Sequence, residues 1–116
     1  HTVKVLYDAG MLKIAANKNS FRDNATYEGY FNHDSMVVIK EIVFEKVKGY
    51  CLKQGIAYMI PTIMELFQAG ILRSPETERF TVRRNNQNRP TMIRIAIDAL
   101  NKGEATPIVM EGNQNE

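Results

Sequence analysis

The sequence predicts an α+β domain of the winged helix-turn-helix class, three helices plus a C-terminal β-hairpin wing. Three observations carry this expectation. Two amphipathic segments, residues 40–54 and 61–69, are joined by a short Gly-containing connection, the pattern of a helix-turn-helix. Two later runs, 79–84 and 92–97, alternate apolar and polar residues around an amide-rich loop, as hairpin strands do. The whole order, helix, short strand, helix, turn, helix, strand, loop, strand, is that of a winged helix.

The first helix is expected over residues 2–17, where Val3, Tyr7, Met11 and Ile14 recur at helical spacing with Leu6 and Gly10 between them. Gly10 inside it costs about 1 kcal/mol relative to Ala. Asn17-Lys18-Asn19-Ser20 ends that helix and Asp23-Asn24 opens a loop. The aromatic run 27–31 reads as a strand and Asn32-His33-Asp34-Ser35 as a turn. Residues 36–39 suit either a second strand or the lead-in to the next helix. That helix, 40–54, has Val43, Val47, Tyr50 and Cys51 on one face beside Ile42 and Phe44, and Gly55 stops it. In the third helix, Pro61 suits the first turn, where its missing N–H is not needed. Ile60, Ile63, Met64 and Phe67 form a stripe assigned to the core. Gly70 ends the helix, and Ile71-Leu72 packs back. In the hairpin, Phe80 and Val82 share one face. Ile93, Ile95 and Ile97 point inward and Arg94 outward.

The folded domain is expected over residues 1–98, followed by a polar, mildly acidic, frayed tail over 99–116 with Lys102 against Glu104, Glu111 and Glu116. The start, His1-Thr2-Val3-Lys4, carries no initiator Met and no signal-peptide layout, so a segment of a longer, cytoplasmic protein is expected.

Composition removes several classes. At 44% hydrophobic and 24% charged, the 116 residues are ordinary for one globular domain and wrong for collagen, a coiled coil or wholesale disorder. Cys51 is the sole cysteine, which excludes an internal disulfide and a cysteine zinc cluster. No run reaches the ~18 apolar residues of a membrane helix, so no membrane partner is expected. There is no phosphate loop and no HExxH motif. His33 lies in a polar turn, Cys51 on an apolar stripe, and Asn24-Ala25-Thr26 is a sequon without a secretory signal. Asp8, Asp23, Asp34 and Glu28 lack a paired-carboxylate spacing. No cofactor, metal or catalytic residue is expected, and the chain is not read as an enzyme.

The one constellation with chemistry is basic. From residue 71 to 94 there are six arginines against Glu76 and Glu78. Arg83-Arg84-Asn85-Asn86-Gln87-Asn88-Arg89 falls on the expected wing tip, and Arg79 and Arg94 on the outer strand face extend it. Arginine forks bind phosphate in a bidentate manner, while Asn and Gln reach phosphate or base edges. The candidate DNA-binding set is therefore Arg79, Arg83, Arg84, Asn85, Asn86, Gln87, Arg89 and Arg94, with Thr62 and Gln68 as base readers on the third helix. Lys46, Lys48 and Lys53 of the second helix are candidate backbone contacts. The third helix has no Lys or Arg and carries Glu65, which is poor for non-specific binding. Its Thr62, Glu65 and Gln68 face suits an alternative role, docking a partner protein or self-association.

Four phrases carry a family resemblance: Asn19-Ser20-Phe21, Tyr27-Glu28-Gly29-Tyr30-Phe31, Leu66-Phe67-Gln68-Ala69-Gly70-Ile71-Leu72 and Arg79-Phe80-Thr81-Val82-Arg83-Arg84. Together they resemble the C-terminal winged-helix domain of AAA+/MCM-like, helicase-like proteins of bacterial mobile elements and prophages, across most of residues 3–97. The resemblance implies an accessory domain serving a replicative helicase or initiator, by binding duplex or forked DNA or by orienting the ring. Its partners would be DNA and the remainder of a helicase chain or another replication protein. It carries over Arg83, Arg84 and Arg89 of the wing and the exposed face of the third helix. The family's ATPase motifs are not in this chain.

Overall fold

The computed structural model describes residues 1–80, 89–102 and 107–109. Among them are five helices and five strands, an α+β architecture. In chain order they are α1 Thr2–Asp8, β1 Ile14–Ala15, α2 Lys18–Asp23, β2 Gly29–Asn32, β3 Ser35–Ile39, α3 Lys40–Lys53, α4 Ile63–Gln68, β4 Glu78–Arg79, β5 Thr91–Ala96 and α5 Ile97–Asn101. The strands form one sheet in the order β1-β2-β3-β5-β4; β1 and β2 are parallel and every other pair is antiparallel.

Side chains alternate across the sheet and divide the core in two. Met36, Val38, Ile93 and Ile95 face the larger side, where Leu6 of α1, Val43 of α3 and Leu100 of α5 pack on them. Val37, Ile39 and Met92 face the smaller side with Phe21 of α2, Tyr30 and Phe80. Because β3 is buried on both faces, its sequence is a continuous apolar run rather than an alternation. That is why residues 36–39 fit two readings, and they form the central strand. The run leads into α3 with no intervening loop. At Gly29 the hairpin partner comes so close that a Cβ would lie 2.5 Å from the Val37 carbonyl oxygen.

The first helix is shorter than the spacing predicts. It stops at Asp8, because Gly10 adopts φ +75° in the left-handed region. The Gly10 N–H donates to the Tyr7 carbonyl and the Met11 N–H to that of Leu6, a Schellman cap. Met11 is consequently exposed. Gly55 and Gly70 close α3 and α4 with the same pair of bonds. Asn17, read as part of a helix end, instead begins α2: its side chain accepts from the Ser20 N–H at 2.9 Å. Phe21 of that unpredicted helix is fully buried, worth roughly 2–3 kcal/mol of apolar burial.

The third helix also departs from expectation. Pro61 precedes the N-cap, Thr62, instead of lying in the first turn. Thr62 and Glu65 form a capping box, in which the Glu65 N–H donates to Thr62 Oγ1 and the Thr62 N–H to Glu65 Oε1. The stripe assigned to the core is split. Ile63 and Leu66 pack on the larger core, whereas Ile60, Met64 and Phe67 are exposed, and α4 buries no residue fully. Six residues make fewer than two turns, so the two i,i+3 pairs Ile63–Leu66 and Met64–Phe67 occupy different sectors.

The C-terminal strand ends at Ala96, and Ile97 opens α5 rather than closing the strand. The packed body extends past residue 98: Leu100 is buried, and Asn101 and Ile108 exchange two hydrogen bonds of 2.7 Å. Of the strand expected over residues 79–84, Arg79 is in the sheet, as the second residue of β4; residues 81–88 lie outside the described residues. Of Ile71-Leu72, expected to pack back, Leu72 does so and Ile71 stays partly exposed. Leu72 is buried and bridges to Ile95, and the Arg73 N–H donates to the Arg94 carbonyl.

Candidate functional site

A cleft of ≈ 570 Å³ lies where the foot of the hairpin meets the start of α3. The β4–β5 register sets Arg79 opposite Thr91, and the Phe80 N–H donates to the Pro90 carbonyl at 3.0 Å. Arg79 and Arg89 thus line one wall, 3.4 Å apart where an Arg79 N–H meets the Arg89 carbonyl oxygen. The other wall is the first turn of α3, Lys40, Glu41 and Ile42. Its N-cap, Ile39, supplies no side-chain acceptor, so the positive end of the 14-residue helix adds to the field of the three cations. Among the described residues, Glu41 is the one acidic side chain lining the cleft.

Phe80 fixes the hairpin foot to the sheet. Its ring meets that of Phe21 edge-on, with centroids 4.9 Å apart, and lies 6.4 Å from that of Tyr30. Such pairs add about 0.5–1.5 kcal/mol beyond area burial. Lys18 of α2 reaches over the same ring, 5.8 Å from its centroid. Lys18, Arg79 and Arg94 then line a smaller adjoining cavity with Glu78. Arg79 lines both hollows, with Lys40, Arg89 and Glu41 in the larger and with Lys18, Arg94 and Glu78 in the smaller.

The sequence-derived candidates fare differently. Arg79 and Arg89, ten residues apart, are brought together. Arg94 is close by but already paired with Glu78 at 2.9 Å. Arg83, Arg84, Asn85, Asn86 and Gln87 lie outside the described residues. Thr62 and Gln68, at the ends of α4, do not line the cleft, and the Thr62 hydroxyl is committed to the capping box. Lys46 is held by Glu28 at 2.7 Å and by the Met11 carbonyl. Sequence reasoning missed Lys18 and Lys40. The signal for Lys40 was present, since a strand running without a loop into a helix puts the first helical residue at the sheet end. Lys18 required knowledge of α2.

No family model, curated protein or solved structure matches this chain. The chemistry of the site therefore rests on its residues. Guanidinium forks and an ammonium around an open cleft favour an oxyanion with several acceptor atoms, such as a phosphodiester. Among the described residues no helix is long and apolar enough to cross a membrane, and no group of His, Cys, Asp and Glu is arranged to hold a metal ion.

Proposed function

We propose that this chain is a winged-helix domain that binds the phosphate backbone of duplex or forked DNA. The observation that carries the reading is the convergence of Lys40, Arg79 and Arg89 on one cleft at the foot of the hairpin. The intervening sequence, 80–88, adds Arg83 and Arg84 beside three Asn and one Gln. The strand order β3-β5-β4, with α3 and α4 between β3 and β4 in the chain, supports the winged-helix part of the reading. An accessory role beside a replication helicase or initiator is supported by the sequence resemblance, and no catalytic step is assigned to this chain.

The affinity comes mainly from charge. Five phosphates neutralised, by Lys40, Arg79, Arg83, Arg84 and Arg89, correspond to a slope of about −4.5 in log K against log salt on duplex DNA. The short, uncharged-to-acidic α4 adds little base readout, so sequence preference is modest. Fluorescence anisotropy with labelled duplex, forked and single-stranded DNA at two salt concentrations tests this. Salt-steep binding that the Arg83/Arg84/Arg89→Ala variant loses is the expected result. Absence of binding to all three at low salt would remove DNA as the ligand.

A further inference from the structure

We infer that the cleft between the hairpin foot and the first turn of α3 takes the phosphomonoester at the end of a DNA strand in preference to an internal phosphodiester. This preference rests on the DNA-binding reading above and names the group that enters the cleft. The charges match a terminal phosphate. Among the described residues, Lys40, Arg79 and Arg89 line the cleft against the single carboxylate of Glu41, an excess of two positive charges. A phosphomonoester carries about −1.5 to −2 at pH 7 and offers three acceptor oxygens. An internal diester carries a single negative charge and has given one of those oxygens to the next nucleotide. The terminal group therefore balances the lining, whereas one diester leaves it positive.

The shape and the donors agree with the charge. At ≈ 570 Å³ the cleft falls within the roughly 300–1,000 Å³ of pockets that enclose a small molecule. A nucleotide at a strand end is tethered on one side and can enter such a hollow, while an internal one is tethered on both. The Arg79 guanidinium donates to the Arg89 carbonyl oxygen at 3.4 Å, which keeps the two arginines on one wall. Arginine has five N–H donors, so Arg79 keeps others for phosphate. Both arginines are exposed, and their forks suit an oxyanion with several acceptors. Lys40, on the opposite wall, lies 6.0 Å from the centroid of the Phe44 ring and adds its charge from there. On DNA without a phosphorylated end the same cations meet diesters, which is the binding proposed above.

Fluorescence anisotropy of the full chain tests this with internally labelled duplexes of one sequence that end in hydroxyls, in 5′-phosphates or in 3′-phosphates. A slightly longer hydroxyl-ended duplex of matched total charge is the control. The expected result is that one phosphorylated form binds roughly tenfold tighter or more than the control, and which form does so identifies the end recognised. That ratio should shrink below about pH 6, where the phosphate regains its second proton, a readout that needs no variant. Arg79→Ala/Arg89→Ala, with its fold verified by circular dichroism, should lose the preference. Salt-steep binding with equal affinity for every end overturns the inference and leaves the backbone reading standing. A preference that ignores pH, or that the folded double variant retains, also overturns it, since the second charge or the cleft is then not what is read. Absence of binding to every form at low salt overturns both.

Discussion

Arg94 and Glu78 are paired at 2.9 Å across neighbouring strands of the hairpin foot. Met92 is directly opposite Glu78, so Arg94 is its diagonal neighbour, a spacing that long side chains bridge. Both groups are partly exposed, and a pair of this kind contributes less than about 1 kcal/mol to stability. Its larger effect is on the smaller hollow, where Glu78 neutralises the Arg94 cation that the proposed DNA binding would otherwise use.

Replacing Glu78 by Gln should therefore leave the fold intact and tighten DNA binding. The slope of log K against log salt should steepen by about 0.9, the value of one more neutralised phosphate. Anisotropy at several salt concentrations measures it. An unchanged slope would mean that Arg94 stays out of reach of the backbone.

Arg89 has φ +56°, a left-handed conformation that costs an L-residue about 1–2 kcal/mol. Arg89→Gly should hold or raise the melting temperature while weakening DNA binding. Arg89→Ala should weaken binding equally but melt lower than the Gly variant. Equal melting temperatures for the two variants would show that this backbone strain is absent.

Glycine contributes oppositely within α3 and just beyond its C-terminus. Gly49 lies within the helix, where an added Cβ meets nothing within 4 Å, so Gly49→Ala should stabilise by about 0.5–1 kcal/mol. Gly55, at φ +70°, forms the Schellman cap, and Gly55→Ala should destabilise by about 1–2 kcal/mol. Urea unfolding of both variants checks the opposite signs.

These glycines also explain much of what the sequence revealed and concealed. Gly55 and Gly70 follow strongly periodic segments and mark their ends. Gly10 does the same, but Met11 and Ile14 continue the helical spacing by coincidence and mask the stop. α2 is only six residues, too short to show a periodicity, and its one deep anchor is Phe21. The central strand was ambiguous because both its faces are buried. At the site, Arg79 and Arg89 were legible from the hairpin pattern. The pairing of Arg94 with Glu78 and the approach of Lys40 depend on strand register and sheet order, which local patterning does not encode. The stripe Ile60, Met64 and Phe67 was correctly seen as apolar, and its exposure depends on how α4 is rotated about its axis.

Tyr58 supplies a pH test. Burial first, and then the nearby Cys51 and Glu45, push its phenol above the ordinary value. The folded state thus holds that proton more tightly than the unfolded chain. Its contribution is fully present below the unfolded Tyr value of about 10 and is lost as pH rises through the folded value. Tyr58→Phe should flatten the alkaline decline in stability above about pH 10, read from urea midpoints across the pH series. An identical decline in the variant would assign it to other groups.

The most direct test of the proposed phosphate binding at the cleft is the salt dependence of duplex binding by Lys40→Ala/Arg79→Ala/Arg89→Ala beside the native chain. Lys40 is half-buried and the two arginines are exposed, and the substitutions leave both cores untouched. If the cleft holds the backbone, the slope of log K against log salt becomes shallower by about 2.7, the value of three phosphates no longer neutralised. Native affinity and native slope in a folded triple variant would contradict the account.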